Sequence, residues 1–292
     1  MRQFFCVLLL FLPCLINAAA LAQEQSLVVT SVRPLTLIVK DLGGDWLDVR
    51  QLLKDGQEPH HVSLTISQRR LIDDAQLVFW VGPALENYLS QGIASRSERS
   101  ALSLEAIASS EFPEVDAHVD AHLWLQPDVV AAYYRAVAAL LDEHFPAHRE
   151  RIEARLEQAL AKLSQTIAQI ATDFEAQRVA GKTLVVDHQA YGYFTGYFGI
   201  SVAGALVDAR GLSIGARSLA ELGETAQARC VVVERLPAPS RARRVATALD
   251  LPLVAIDPLG MRVDSAKGYS GLLEDIAAGF ARCLAPASQG HE

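Results

Sequence analysis

The 292-residue sequence predicts an α/β protein: two parallel-sheet α/β lobes joined by one long, rigid backbone helix. Three observations carry this reading. Residues 27–89 alternate short apolar, β-branched runs with helix-length amphipathic segments, the pattern of a parallel sheet covered on both faces. Residues 183–284 repeat that alternation, with no clear internal sequence repeat. Between them, about Ala147 to Val179 contains neither Gly nor Pro. There, Ile152, Leu156, Leu160, Leu163, Ile167, Ile170 and Phe174 recur at spacings of three and four, one apolar stripe on a helix. At 1.5 Å per residue this segment reaches roughly 45–50 Å, longer than one small lobe. A solitary coiled coil is the alternative. The expected organisation is a signal peptide over 1–22, an N-terminal lobe over 23–146, the linking helix over 147–180 and a C-terminal lobe over 181–292.

The elements follow in order. Leu27 to Ser31 is a β-branched strand, and Pro34 opens an apolar-periodic helix that stops at Gly43-Gly44. Trp46 to Leu53 reads as a strand that leaves into the Gly56–His61 loop. Leu64 to Asp74 is helical, Leu77 to Val81 a buried strand, and Pro83 to Leu89 the start of another helix. Gln91 to Ala121 is acidic and less regular, with Ser- and Pro-containing turns. Pro127 to Phe145 is a helix with Pro in its first turn, where a missing N–H costs nothing. In the second half Thr183–Asp187, Ser201–Leu206, Cys230–Glu234 and Leu251–Ile256 read as strands. Tyr191–Phe198, Ala216–Ala228, Ser240–Leu249 and Tyr269–Leu284 read as helices.

The ends and the composition bound the function. Arg2, the apolar run Phe4–Ile16 and the small residues Ala20 and Ala22 have the layout of a secretory signal. The run is short for a transmembrane helix, which needs about 20 residues, although a retained anchor is an alternative. No later stretch is long and apolar enough to span, so an exported, soluble, periplasmic protein is expected. Acidic residues outnumber basic ones, 34 to 26, and cleavage would widen the gap by removing Arg2. This excludes a basic nucleic-acid footprint, and no nucleic-acid partner is expected. Cleavage would also leave two cysteines, Cys230 and Cys283. In an oxidising compartment they are a disulfide candidate that would pin the last helix to the sheet, the alternative being two buried thiols.

Four short motifs each deliver one metal-ligand side chain: G-Q-E-P-H-H (His60), D-A-H-L-W-L-Q-P (His122), V-V-D-H-Q-A-Y-G-Y-F (His188) and I-D-P-L-G (Asp257). Each lies where a strand or loop gives way to the next helix, the positions that line the crevice beyond strand ends in such folds. Three imidazoles and a carboxylate form an N3O set suited to Zn2+. Each motif also has a plainer explanation. His60 sits in a polar loop of the kind that is usually solvated, and His122 is an interface histidine packed near Trp124. The aromatic run after His188 is core, and Asp257 is an N-cap or Asx-turn residue. Glu234 is a rival carboxylate at the same sheet edge, and Asp187 is an acceptor for an imidazole N–H or an N-cap. Asp116, His118 and Asp120 form either an acidic loop or a secondary cation site. His144 and His148 have zinc-compatible i, i+4 spacing, but Pro146 breaks that register, leaving both exposed. His61 cannot aim where His60 aims.

Taken together, these strings resemble the metal-binding receptors of ABC importers for zinc and manganese, the cluster A-I solute-binding proteins, and within them the ZnuA-type zinc receptors. The resemblance spans almost the whole mature chain. It also includes Val62-Ser63-Leu64, Ala75-Gln76-Leu77-Val78, Trp80-Val81-Gly82-Pro83 with Glu86, and the late cysteine pair, which forms a disulfide in the zinc branch. It implies a metal held in the cleft between the lobes, His60 and His122 coming from the first and His188 and Asp257 from the second. It further implies a monomeric, non-enzymatic receptor that delivers zinc to a membrane permease. A third histidine favours zinc, since manganese receptors usually place a carboxylate there. There are two departures. Glu111 to Ala121 holds only His118 where zinc receptors often carry a His-rich loop. Pro59 stands where some have a glutamate before the first histidine. If Asp257 is not the fourth ligand, water is expected there. The alternatives are a manganese receptor, a surface adhesin and a secreted zinc hydrolase, although no H-E-x-x-H string is present.

Overall fold

Val28 and Val29 point to opposite faces of one strand, yet both are fully buried. Leu184 and Val185 repeat this in the second half. A strand buried on both faces belongs in a parallel sheet between two helix layers, and a computed structural model has two such sheets. It describes residues 26–54, 56–96, 100–179, 181–213 and 228–285. The segment read as a signal peptide, and all but the last residue of the helix read over Ala216–Ala228, lie outside the described residues. Ala228 itself begins a strand.

The first lobe comprises β1 (Ser26–Thr30), α1 (Arg33–Gly43), β2 (Leu47–Gln51), α2 (Ile66–Asp74), β3 (Leu77–Trp80), α3 (Pro83–Ala94), β4 (Ala101–Ser103), α4 (Leu104–Glu111) and α5 (Pro127–His144). Proline stands in the first turn of α1, α3 and α5, and Thr65 with Gln68 forms a capping box on α2. After α6 (Arg149–Ala176), the second lobe comprises β5 (Thr183–His188), α7 (Gly192–Tyr197), β6 (Ser201–Val207), β7 (Ala228–Val233), α8 (Ser240–Ala248), β8 (Leu253–Ala255) and α9 (Gly268–Leu284). All strand pairs are parallel, in the orders β2-β1-β3-β4 and β6-β5-β7-β8. Each lobe adds its second strand on one side of the first and its third on the other. That reversal opens a crevice beyond the carboxyl ends of the first and third strands.

The 28 residues of α6 extend about 42 Å. Ile152, Leu163, Ile170 and Phe174 are buried and Leu156, Leu160 and Ile167 partly so. The stripe packs on α1 and α5 of one lobe and on α9 of the other, which is a linking helix and not a solitary coiled coil. One apolar cluster runs through both lobes, while smaller clusters sit beneath the outer helices. Polar contacts also cross the boundary: Arg33 donates to the Val263 carbonyl, and Asp41 accepts from the Tyr134 hydroxyl and the Tyr269 amide. Cys230 and Cys283 are disulfide-bonded, with Cα atoms 5.5 Å apart, so α9 is fastened to β7. Among the described residues no helix is long and apolar enough to cross a membrane.

Two readings change. Residues 91–121 are more ordered than their composition suggests, since β4 and α4 lie there. β4 has only three residues, too few for a period to show, and Ser103 ends it while capping α4 through Ala106 N. His144 and His148 are partly buried and not fully exposed, His148 stacking on Trp46 with centroids 3.9 Å apart.

Candidate metal centre

His188 is the last residue of β5, carried there by Leu184, Val185 and Val186, and is 7% exposed. His122 precedes a 3-10 turn, Leu123–Leu125, whose three side chains are fully buried; burying Leu-Trp-Leu presses the histidine into the lobe boundary. His60 lies on the loop beyond β2, where Gly56 (φ +80) takes the left-handed turn that glycine tolerates. The structure brings these three together. Their ligand nitrogens all lie within 4.8 Å of one another, and the ring centroids are 5.3, 5.4 and 5.0 Å apart at steep mutual angles. A tetrahedral zinc would hold such nitrogens about 3.4 Å apart, so a small inward adjustment suffices.

Two of the rings are oriented from behind. His122 Nδ1 lies 2.7 Å from Asp120 Oδ1, and His188 Nδ1 lies 2.7 Å from Glu234 Oε1. A carboxylate only accepts, so each Nδ1 carries the proton and each Nε2 lone pair is left for a cation. The Nε2 atoms of His60 and His188 are buried without a hydrogen-bond partner, a costly arrangement that a metal relieves. The donor set fits Zn2+.

The electrostatics differ from ring to ring. Burial, and then the facing His122 and His188, push the His60 pKa down to about 3, so this ring stays neutral. Burial opposes protonation of His188 too, but the Glu234 hydrogen bond and charge outweigh it and raise the pKa above 6.5. Glu234 is affected reciprocally: burial favours its neutral form, yet His188, His122 and His60 together lower its pKa.

Asp257 lies two residues past β8 and lines, with His188, a cavity of about 700 Å³ between the lobes. It is not in the three-histidine group. Its oxygens accept from Leu259 N at 3.0 Å and Met261 N at 2.8 Å, and burial raises its pKa against those two amides. Asp187 is bound twice by Arg241, at 2.7 and 2.6 Å, and is not an imidazole acceptor. His118 and Asp116 are exposed, whereas Asp120 turns inward to His122. His61 is exposed beside the site. Sequence reasoning passed over Glu58, whose Oε1 is 4.0 Å from His60 Nε2, and assigned Asp120 to the acidic loop. A carboxylate two residues before a ligand histidine is the signal in both motifs.

A two-lobed α/β receptor with a buried imidazole cluster at the lobe boundary is the class that fold and site define. Residues 28–283 match the family described as zinc-uptake complex component A, periplasmic (ZnuA), and the chain belongs to that family. It is 28% identical to the high-affinity zinc uptake system protein ZnuA of Yersinia pestis, covering 88% of this chain and 91% of that one. It is likewise 28% identical to the protein of that name from Paracoccus denitrificans, covering 94% and 97%. Among solved structures it resembles a ZnuA crystal structure (TM-score 0.77, 20% identity, 90% of this chain and 100% of that one). It also resembles the periplasmic zinc-binding protein TroA of Treponema pallidum (TM-score 0.78, 19% identity, 90% and 100%).

Proposed function

We propose that this protein captures Zn2+ outside the cytoplasmic membrane and delivers it to the permease of an ABC transporter. His60, His122 and His188 bind the ion, and Asp257 closes the coordination from the second lobe. The observation that carries this reading is the pair of buried, partnerless Nε2 atoms that face a third, carboxylate-oriented imidazole. Three imidazoles favour zinc over manganese, which prefers oxygen donors. The family and the names of its relatives support the same cargo. The protein acts by binding, not by catalysis. Because α6 and one continuous core join the lobes, closure is a small shift rather than a wide clamshell, and release requires the docked permease to disturb one lobe's donors.

Zinc titration of the purified protein against a competing chelator tests this. His60→Ala or His188→Ala is expected to weaken binding by at least about tenfold, and unchanged affinity in both refutes the assignment.

A further inference from the structure

Asp257 has a backbone setting that its short motif does not explain. The carbonyls on either side of it each accept a hydrogen bond from a buried aromatic side chain. Tyr191 donates through its hydroxyl to the Ile256 carbonyl at 2.5 Å, within the second lobe. Trp124 donates through Nε1 to the Pro258 carbonyl at 2.8 Å, from the first lobe. Trp124 is fully buried and Tyr191 is 2% exposed. The Trp124 backbone carbonyl in turn accepts from the Tyr269 hydroxyl on α9 at 2.5 Å, so the residue is held at both its backbone and its indole. Trp124 also belongs to the turn that begins at His122, and the two rings lie 5.2 Å apart.

The Asp257 side chain cannot move independently of this frame. Both its oxygens accept amides of its own turn, so the carboxylate goes where the backbone of residues 256–261 goes. That turn is confined below as well: Gly260 has φ +63, and a side chain there would meet Leu272 at 2.7 Å.

We propose that Trp124 and Tyr191 are positioning residues for the metal site, fixing the backbone on both sides of Asp257 from opposite lobes before the ion arrives. The indole bond is a metal-independent clasp that sets the second-lobe carboxylate in register with His122. This rests on the zinc-receptor reading above and adds the means by which donors from two lobes are pre-aligned.

A double-mutant cycle on the full chain separates positioning from ordinary core stability. Zinc affinity is measured by competition for Trp124→Phe and Tyr191→Phe, alone and combined with Asp257→Ala. Each aromatic variant is expected to weaken binding by about tenfold, the scale of one buried hydrogen bond with its acceptor left unpaired. In the Asp257→Ala background the same changes are expected to weaken it less than about twofold, since nothing is left to position. Equal losses in both backgrounds, no loss in the single variants, or wild-type affinity in Asp257→Ala overturns the proposal. If Trp124→Phe does not fold, Tyr269→Phe, which frees the Trp124 carbonyl, takes its place in the cycle with the same two outcomes. His60→Ala is the control: loss of zinc there without the coupling leaves the receptor reading standing, whereas a wild-type protein that takes up no zinc removes that reading itself.

Discussion

The two lobes share a strand order and use it differently. In the second lobe the crevice beyond β5 and β7 holds His188 and its partner Glu234, directly on the sheet. In the first lobe the equivalent crevice beyond β1 and β3 is filled. The Thr30 and Thr36 hydroxyls pair at 2.7 Å, and Glu86 reaches back to accept from Val81 N at 2.8 Å. All three residues are buried, so the first lobe's histidines must come from loops. A parallel sheet provides a crevice at a fixed place, but the residues beyond the strands decide whether it becomes a site or a plug. Donors on loops then need separate anchoring, which Asp120 and the Leu123–Leu125 turn give to His122.

Four measurements break or sharpen this comparison. The largest effect is expected from the disulfide, which only the second lobe's sheet carries among the described residues. It spans a sequence separation of 53, and chain-entropy arguments give about 4 kcal/mol for such a loop. Cys230→Ser with Cys283→Ser is therefore expected to lower stability to denaturant by that order. An unchanged midpoint removes the second lobe's claim to covalent fastening.

The plug of the first lobe comes next. Burial raises the Glu86 pKa from 4.5 to about 7. Because the folded value lies above the unfolded one, the contribution of this group is fully present below pH 4.5 and is lost as pH rises through 7. The loss amounts to about 3 kcal/mol. Glu86→Gln is expected to flatten the decline of stability between pH 5 and 8, as followed by urea unfolding. A variant as pH-dependent as the wild type contradicts the role given to Glu86.

Removing the carboxylates behind the rings tests whether loop and sheet donors are equally dependent on support. Asp120→Asn and Glu234→Gln are each expected to cost about tenfold in zinc affinity. The loop-borne His122 is expected to suffer at least as much as the sheet-borne His188. A much larger loss for Glu234→Gln reverses that ranking.

The smallest effect is in the pH profile of zinc binding. Metal requires neutral imidazoles. His188, with its pKa raised, takes up a proton well before His60 as pH falls, so affinity starts to decline while pH is still above 6.5. His60, at about 3, takes up none in that range. The slope of log affinity against pH therefore stays below the three protons that three ordinary imidazoles would bind. A slope of three merges the lobes' behaviour again.

Much of this was legible in the sequence. Proline and glycine punctuation, β-branched runs and the stripe from Ile152 to Phe174 located the two sheets and the linking helix to within a few residues. They succeed because strands buried on both faces, and a helix with one buried face, leave short-range periodicities. β4 failed to register because three residues carry no period. The histidine motifs were readable as candidate donors, but the roles of the carboxylates around them were not. Asp187, adjacent to His188, binds Arg241, while Glu234, just past the end of β7, orients the ring. Nothing in the local spelling of V-V-D-H distinguishes these outcomes.

The sequence by itself determined which side chains have metal chemistry and which segments become parallel strands, because both follow from residue type and short-range spacing. Only the tertiary structure decided that His60, His122 and His188 share one point, that Asp257 stays bound to its own turn, and that the Trp124 indole reaches the Pro258 carbonyl. Those facts depend on how two separately folded sheets are set against each other by α6 and a common core, and a linear pattern does not encode an angle between lobes.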